Sequence, residues 1–151
     1  MKFGIICAMP EELKALHEQL NGEQDREIGG KKYLSGKIGQ ADVVLVESGI
    51  GKVEAGITTE HLIVECGADV VINSGSAGGI GQGLKVGDVV LSTETAYHDA
   101  DARAFGYVYG QLPGKPARFK ASEKWVKALA TAGQKTGLNI KQGLIVSGDQ
   151  F

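Results

Sequence analysis

Two adjacent acids, Glu11 and Glu12, follow directly on the apolar run from Lys2 to Ala8 and on Met9-Pro10. That order is a buried strand running into a helix. A carboxylate at such a junction can face a ligand and take a proton from water as a general base. Both acids equally suit the positive N-terminal end of a helix, so the spacing leaves open which of them, if either, faces a ligand. Two further strand ends carry glycine and small polar residues: Glu47-Ser48-Gly49-Ile50-Gly51 and Asn73-Ser74-Gly75-Ser76-Ala77-Gly78-Gly79. In an open α/β sheet, ligands bind beyond the carboxyl ends of the strands. Counting Cys7-Ala8-Met9, three such ends point to one pocket, although tight turns alone also use glycine.

The pocket does not read as a phosphate cradle. Gly75, Gly78, Gly79, Gly81 and Gly83 form no clean G-x-G-x-x-G, and a strand rather than a helix follows them. There is no G-x-x-x-x-G-K-[ST] motif. Backbone lying against a flat, uncharged ligand is the better reading of these glycines. His17, His61 and His98 lack metal-ligand spacing, so no metal is expected, and with no dinucleotide or phosphate motif no cofactor is expected either.

The elements that must position these residues follow from hydrophobic period and punctuation. The chain has 151 residues, 42% apolar and 23% charged, with a net charge of -2. This is the composition of a globular protein. Lysine and arginine are scattered, which argues against a nucleic-acid groove or a membrane-binding face. No apolar run is long enough to span a bilayer, and none reads as a signal peptide. Cys7 and Cys66 fall in core elements and read as two buried thiols, with a reducing cytoplasm as the expected compartment. The 23 glycines, against 3 prolines, cluster at strand ends.

Lys2 to Ala8, Lys32 to Ile38, Asp42 to Glu47, Asp69 to Asn73, Val86 to Ser92 and Ile140 to Val146 read as strands. The second and third form a hairpin around Gly39-Gln40-Ala41. Helices are expected from Pro10, with Leu13, Leu16 and Leu20 on the apolar face, and over Lys52 to Cys66, with Val53, Ile57 and either His61 or Leu62 on one stripe. A third spans Ser122 to Gly137, with Ser122 as N-cap and Trp125, Leu129 and Ala132 facing the core. Asn21 to Gly30 reads as a polar turn and Thr95 to Pro116 as a long ordered loop. The alternation predicts an α/β fold with a mixed, buried sheet flanked by helices, in a single domain over 1–151.

Six segments, in order, resemble the 5′-methylthioadenosine/S-adenosylhomocysteine nucleosidases, members of the nucleoside phosphorylase superfamily. They are Gly4-Ile5-Ile6-Cys7-Ala8-Met9-Pro10-Glu11-Glu12, Ser48-Gly49-Ile50-Gly51-Lys52-Val53 and Asn73-Ser74-Gly75-Ser76-Ala77-Gly78-Gly79. The others are Tyr97-His98-Asp99-Ala100-Asp101, then Phe105-Gly106-Tyr107 with Tyr109-Gly110-Gln111, and Val146-Ser147-Gly148-Asp149-Gln150-Phe151. The resemblance implies a nucleoside phosphorylase-like fold and a hydrolase that releases adenine from thio-ribonucleosides, with water as nucleophile. It implies Glu12 as the base. Ser76 would position water and ribose, Met9 would pack on the ribose, and Ala77 and Gly78 would lie along sugar and base. Phe151 would stack on adenine, and Ile50 would line the 5′-alkylthio site. Phe105, Tyr107, Pro113 and position 102 would reach across a homodimer interface. Ala102 is smaller than the valine of the family pattern, and Cys7 and Pro10 also depart from it.

The resemblance further implies a cytoplasmic enzyme of methionine salvage. Its ribose-binding glutamate and its purine-protonating aspartate would lie beyond residue 151. The chain is therefore expected to lack its C-terminal portion and to be inactive alone. Two rivals share the fold. A purine nucleoside phosphorylase would need arginines for phosphate, but Val71-Ile72-Asn73-Ser74 carries no cation, and Arg26, Arg103 and Arg118 lie elsewhere. A non-catalytic nucleoside-binding or storage protein would have no call for the retained Glu12 and Ser76. A futalosine-type nucleosidase differs only in substrate.

Overall fold

The computed structural model describes residues 1–150. The chain falls into two compact units, Met1–Ala77 and Gly78–Phe151. The first contains β1 (Lys2–Cys7), α1 (Pro10–His17), β2 (Asn21–Ile28), β3 (Lys31–Ile38), β4 (Ala41–Glu47), α2 (Lys52–Val64) and β5 (Val70–Asn73). Its sheet has the order β2-β3-β4-β1-β5. β1 runs parallel to β4 and β5, while β2, β3 and β4 pair antiparallel. This is the mixed sheet of the expected α/β class.

The side-chain period of two explains how one sheet takes a helix on each face. On β4, Val43 and Leu45 join Cys7, Leu34 and Leu13 of α1 in one cluster. Val44 and Val46 join Ile6, Tyr33 and Leu62 of α2 in another. Neighbouring residues of one strand thus supply both cores, which is why Val43 to Val46 are all buried. Leu62 is fully buried, and its truncation to alanine would cost about 2–5 kcal/mol.

The second unit holds β6 (Val89–Tyr97), β7 (Phe119–Lys120), α3 (Glu123–Lys135) and β8 (Ile140–Ser147), with a 3₁₀ turn at Arg103–Phe105. β6 lies between β7 and β8, antiparallel to the first and parallel to the second. α3 approaches β8 closely at Gly133, where a Cβ would stand 2.6 Å from the Ile140 side chain.

Several expectations are corrected. Asn21 to Gly30 is mostly strand β2, not a turn. Its residues up to Glu27 are all exposed, so no apolar alternation marked it. It is an edge strand dressed in charge, a usual guard against edge-to-edge pairing. The strand expected from Val86 begins at Val89, because Lys85 to Asp88 form a turn closed by the Asp88 amide on the Lys85 carbonyl at 3.0 Å. That strand runs on to Tyr97, five residues past Ser92, so the loop starts later than Thr95. β7 was not anticipated. On α2 the inward residues are Thr58 and Leu62, whereas Val53 is 70% and Ile57 50% exposed. On α3, Leu129 and Ala132 are exposed, and Gly133 is the buried position. Cys7 is buried as expected, but Cys66 only partly so, and both are free thiols. Among the described residues, no helix is long and apolar enough to cross a membrane.

Candidate active site

β4, β1 and β5 are parallel neighbours, and their carboxyl ends lie side by side: Cys7 pairs with Glu47, and Ile6 with Asn73. The pairing continues one residue past the strands. The Ser48 amide donates to the Cys7 carbonyl at 2.8 Å, and the Ser74 amide to the Ile6 carbonyl at 3.0 Å. The glycine-rich segments of the first unit therefore leave one edge of one sheet, as their sequence position predicted.

At this edge Glu12 and Glu11 are distinguished. Glu11 is exposed. Glu12, three residues past the N-cap Met9, turns back over the helix start. Its Oε2 accepts from the amides of Ala8 at 3.0 Å and Met9 at 3.2 Å. Its Oε1 accepts from the amide and the hydroxyl of Ser76, each at 2.8 Å. Gly75 makes this approach possible, because a Cβ there would stand 2.9 Å from the Glu12 carboxyl. Burial pushes the Glu12 pKa up, but the donors from Ser76, Met9 and Ala8 together outweigh it and hold the group below its ordinary 4.5. The carboxylate is thus ionised across the neutral range. Beneath it, burial and then the negative charge of Glu12 push the Cys7 thiol up to about 11, so that sulfur stays protonated and unreactive.

The other expected residues are placed as follows. Met9 is the half-buried N-cap of α1. Ile50 sits 60% exposed on the turn between β4 and α2. Ala77 closes the first unit and Gly78 opens the second. Ala102, Phe105, Tyr107 and Pro113 lie on the second unit. There Ala102 is buried and Phe105 is 81% exposed, while Tyr107 is half-buried and Pro113 exposed. Phe151 lies outside the described residues. Among the described residues no cluster of three or more His, Cys, Asp or Glu side chains is placed to hold a metal.

Sequence reasoning missed how motifs distant in the chain are bonded to one another. In the second unit the His98 amide donates to the Ser147 carbonyl at 3.0 Å, and the Asp149 amide to Asp99 Oδ2 at 2.8 Å. The Tyr97–Asp101 and Val146–Gln150 segments are therefore one structure. Both strands were expected from the sequence, but parallel pairing of β6 with β8 leaves no local turn from which to read that they are neighbours. The hydrogen bond from the Lys31 ammonium to the Ser48 carbonyl, at 2.7 Å, was likewise not legible, since a lone lysine on a strand carries no pattern.

Residues 2–151 match the family model described as the phosphorylase superfamily. A 5′-methylthioadenosine/S-adenosylhomocysteine nucleosidase of Actinobacillus succinogenes is 52% identical over 151 residues, covering all of this chain and 66% of that relative. The crystal structure of the corresponding nucleosidase from Neisseria meningitidis, in complex with methylthio-immucillin-A, superposes with a TM-score of 0.96. It is 46% identical, over 99% of this chain and 65% of that one. The S-adenosylhomocysteine nucleosidase of Streptococcus pyogenes, in complex with 5-methylthiotubericidin, gives a TM-score of 0.95 at 40% identity, over 100% of this chain and 64% of that one. The chain thus spans just under two thirds of the length of these relatives. With six ordered motifs, the mixed sheet and the Glu12–Ser76 edge in place, the family match over nearly every residue places the chain in the phosphorylase superfamily.

Proposed function

We propose that the full-length protein hydrolyses the N-glycosidic bond of 5′-methylthioadenosine and S-adenosylhomocysteine, releasing adenine. The observation that carries this reading is the Glu12 carboxylate held on Ser76 at the joined ends of three parallel strands. The similarity to nucleosidases, and to structures holding methylthio-nucleoside analogues, supports the substrate class. Both units would belong to one nucleosidase domain.

Cleavage of the glycosidic bond leaves positive charge on the ribose and negative charge on the departing purine, which takes up a proton to leave as neutral adenine, balancing the proton that the attacking water gives up to Glu12. A cationic sugar is a strong electrophile, so the attacking water needs only a weak base. A carboxylate with a lowered pKa suffices, and it is already ionised. Four donor bonds occupy the four lone-pair directions of Glu12. Three come from backbone amides that cannot turn. The Ser76 hydroxyl can rotate, and doing so hands one Oε1 lone pair to a water while Oγ stays beside it. Ser76 would thereby position the nucleophile that Glu12 deprotonates. Met9 would pack on the ribose, Ala77 and Gly78 would lie along the sugar and base, Phe151 would stack on adenine, and Ile50 would meet the uncharged 5′-alkylthio group. No cofactor enters this scheme.

Water is preferred to phosphate because the three arginines of this chain are already engaged. Arg26 pairs with Glu65 at 3.0 Å, Arg103 with Asp101 at 2.7 Å and Arg118 with Glu94 at 3.1 Å. A phosphate dianion calls for free charge-assisted donors. We place the enzyme in the cytoplasm, as a homodimer serving methionine salvage. The test is adenine release from methylthioadenosine by the full-length protein and by Glu12→Gln, with and without phosphate. We expect phosphate-independent turnover that falls at least about 100-fold in the variant, the scale of general-base catalysis. A requirement for phosphate, or a variant within about tenfold of the parent, would overturn the proposal.

A further inference from the structure

Lys31 opens β3, two residues before Tyr33, which pairs with Val46 of β4. Its ammonium donates to the Ser48 carbonyl at 2.7 Å and pairs with Glu54 Oε2 at 2.8 Å. The side chain is only 23% exposed, so these contacts are partly shielded from water. Ser48 precedes the turn Gly49-Ile50-Gly51, and Glu54 lies in the first turn of α2 that follows it. One cation therefore grips both ends of the segment that presents Ile50. That segment needs gripping: Gly49 has φ 76° and Gly51 φ 114°, conformations that glycine adopts easily but does not enforce. Within the turn, the Ser48 hydroxyl donates to the Gly49 carbonyl at 2.8 Å. Ile50 itself is 60% exposed and has little packing to hold it.

We infer that Lys31 is a positioning residue for the 5′-substituent side of the site, acting through the Ser48–Glu54 turn without touching substrate. This rests on the proposed nucleosidase reading. Lys31 fixes where Ile50 stands, so it sets affinity for the apolar group at 5′ and leaves the chemistry at Glu12 alone. An interaction made equally in ground and transition states changes KM and not kcat.

The test compares Lys31→Met and Lys31→Arg in the full-length protein, with methylthioadenosine and 5′-deoxyadenosine as substrates. The second has the same base and ribose without the thioether. In Lys31→Met the KM for methylthioadenosine should rise about fivefold, the range of a partly shielded ion pair and its hydrogen bond. The KM for 5′-deoxyadenosine and both kcat values should stay within about twofold of the parent, the spread expected when uniform binding alone is lost. Lys31→Arg should restore most of the difference. An equal change for both nucleosides, or none, overturns the inference. Amide hydrogen exchange at Ile50 and Gly51 reads the tether independently of catalysis. It should quicken in Lys31→Met and not in Lys31→Arg, and unchanged exchange overturns the tether. If the parent hydrolyses neither nucleoside, the nucleosidase reading fails, and the exchange measurement still decides whether Lys31 holds the turn.

Discussion

Glu12 is a carboxylate anchored by four donors, and in the proposed role it would also take a proton from water. Its donors come from two places in the chain, the β1–α1 junction and the segment after β5, so the lowering of its pKa depends on their meeting. The direction of its pKa gives a prediction. Because the folded group titrates below 4.5, the acid limb of kcat/KM should lie below the ordinary glutamate range, since that limb reports the free enzyme's base. Ser76→Ala removes the hydroxyl donor and keeps the amide. The limb should then move up toward 4.5, and a limb that stays put or moves down would break the assignment of Glu12 as base. The same sign governs stability. Ionised Glu12 favours the folded state above its unfolded pKa, and that contribution is lost as pH falls through the lower folded value.

At the scale of elements, what the sequence revealed depended on burial. β1, β4 and α1 were legible because their apolar residues follow the strand and helix periods, and Leu13, Leu16 and Leu20 do pack on the sheet. β2 was not legible, since an exposed edge strand has no inside face to pattern. α2 misled for the opposite reason: Val53 and Ile57 are apolar yet face outward, and the helix seats itself through Thr58 and Leu62. For the site, the three strand ends could be placed from glycine and serine alone, but the choice between Glu11 and Glu12 could not. That choice follows from the close passage of Gly75 across the carboxyl. Gly75 has no positive φ, so alanine fits its backbone and the fold should survive. Its methyl would displace the Glu12 carboxyl, and misplacement of about 1 Å can cost about 100-fold in rate. In Gly75→Ala, kcat/KM should fall at least about tenfold while thermal unfolding shifts by only a few degrees, since the change is confined to one surface contact. Activity within about twofold of the parent would mean that the approach does not position the base.

At the scale of the whole molecule, the second unit carries an apolar surface that its own core does not use. Phe105 is 81%, Val108 58% and Tyr109 55% exposed, all on the loop that follows β6. The loop is not loose. The Gly110 amide donates to the Ala100 carbonyl at 2.9 Å, the Tyr109 hydroxyl donates to the His98 carbonyl at 2.8 Å, and Arg103 lies over the Tyr109 ring at 5.2 Å. Ala102, in the same loop, is buried, and its carbonyl accepts from the Phe105 amide at 2.9 Å. A rigid loop presenting aromatic residues to water resembles half of an interface, because aromatic anchors dominate interface energies and isolated exposure gains nothing. In the proposed homodimer Phe105, with Tyr107 and Pro113, would close the neighbouring subunit's site. Two consequences can be measured on the full-length protein. Sedimentation equilibrium should show a dimer, and Phe105→Ser should weaken it at least about tenfold, the lower range for loss of an aromatic anchor. Specific activity should fall on dilution below the dimer dissociation constant, sooner in the variant than in the parent, because each site would need its partner's loop. A monomeric parent, or a Phe105→Ser dimer as tight as the parent, would show that the loop serves some other contact.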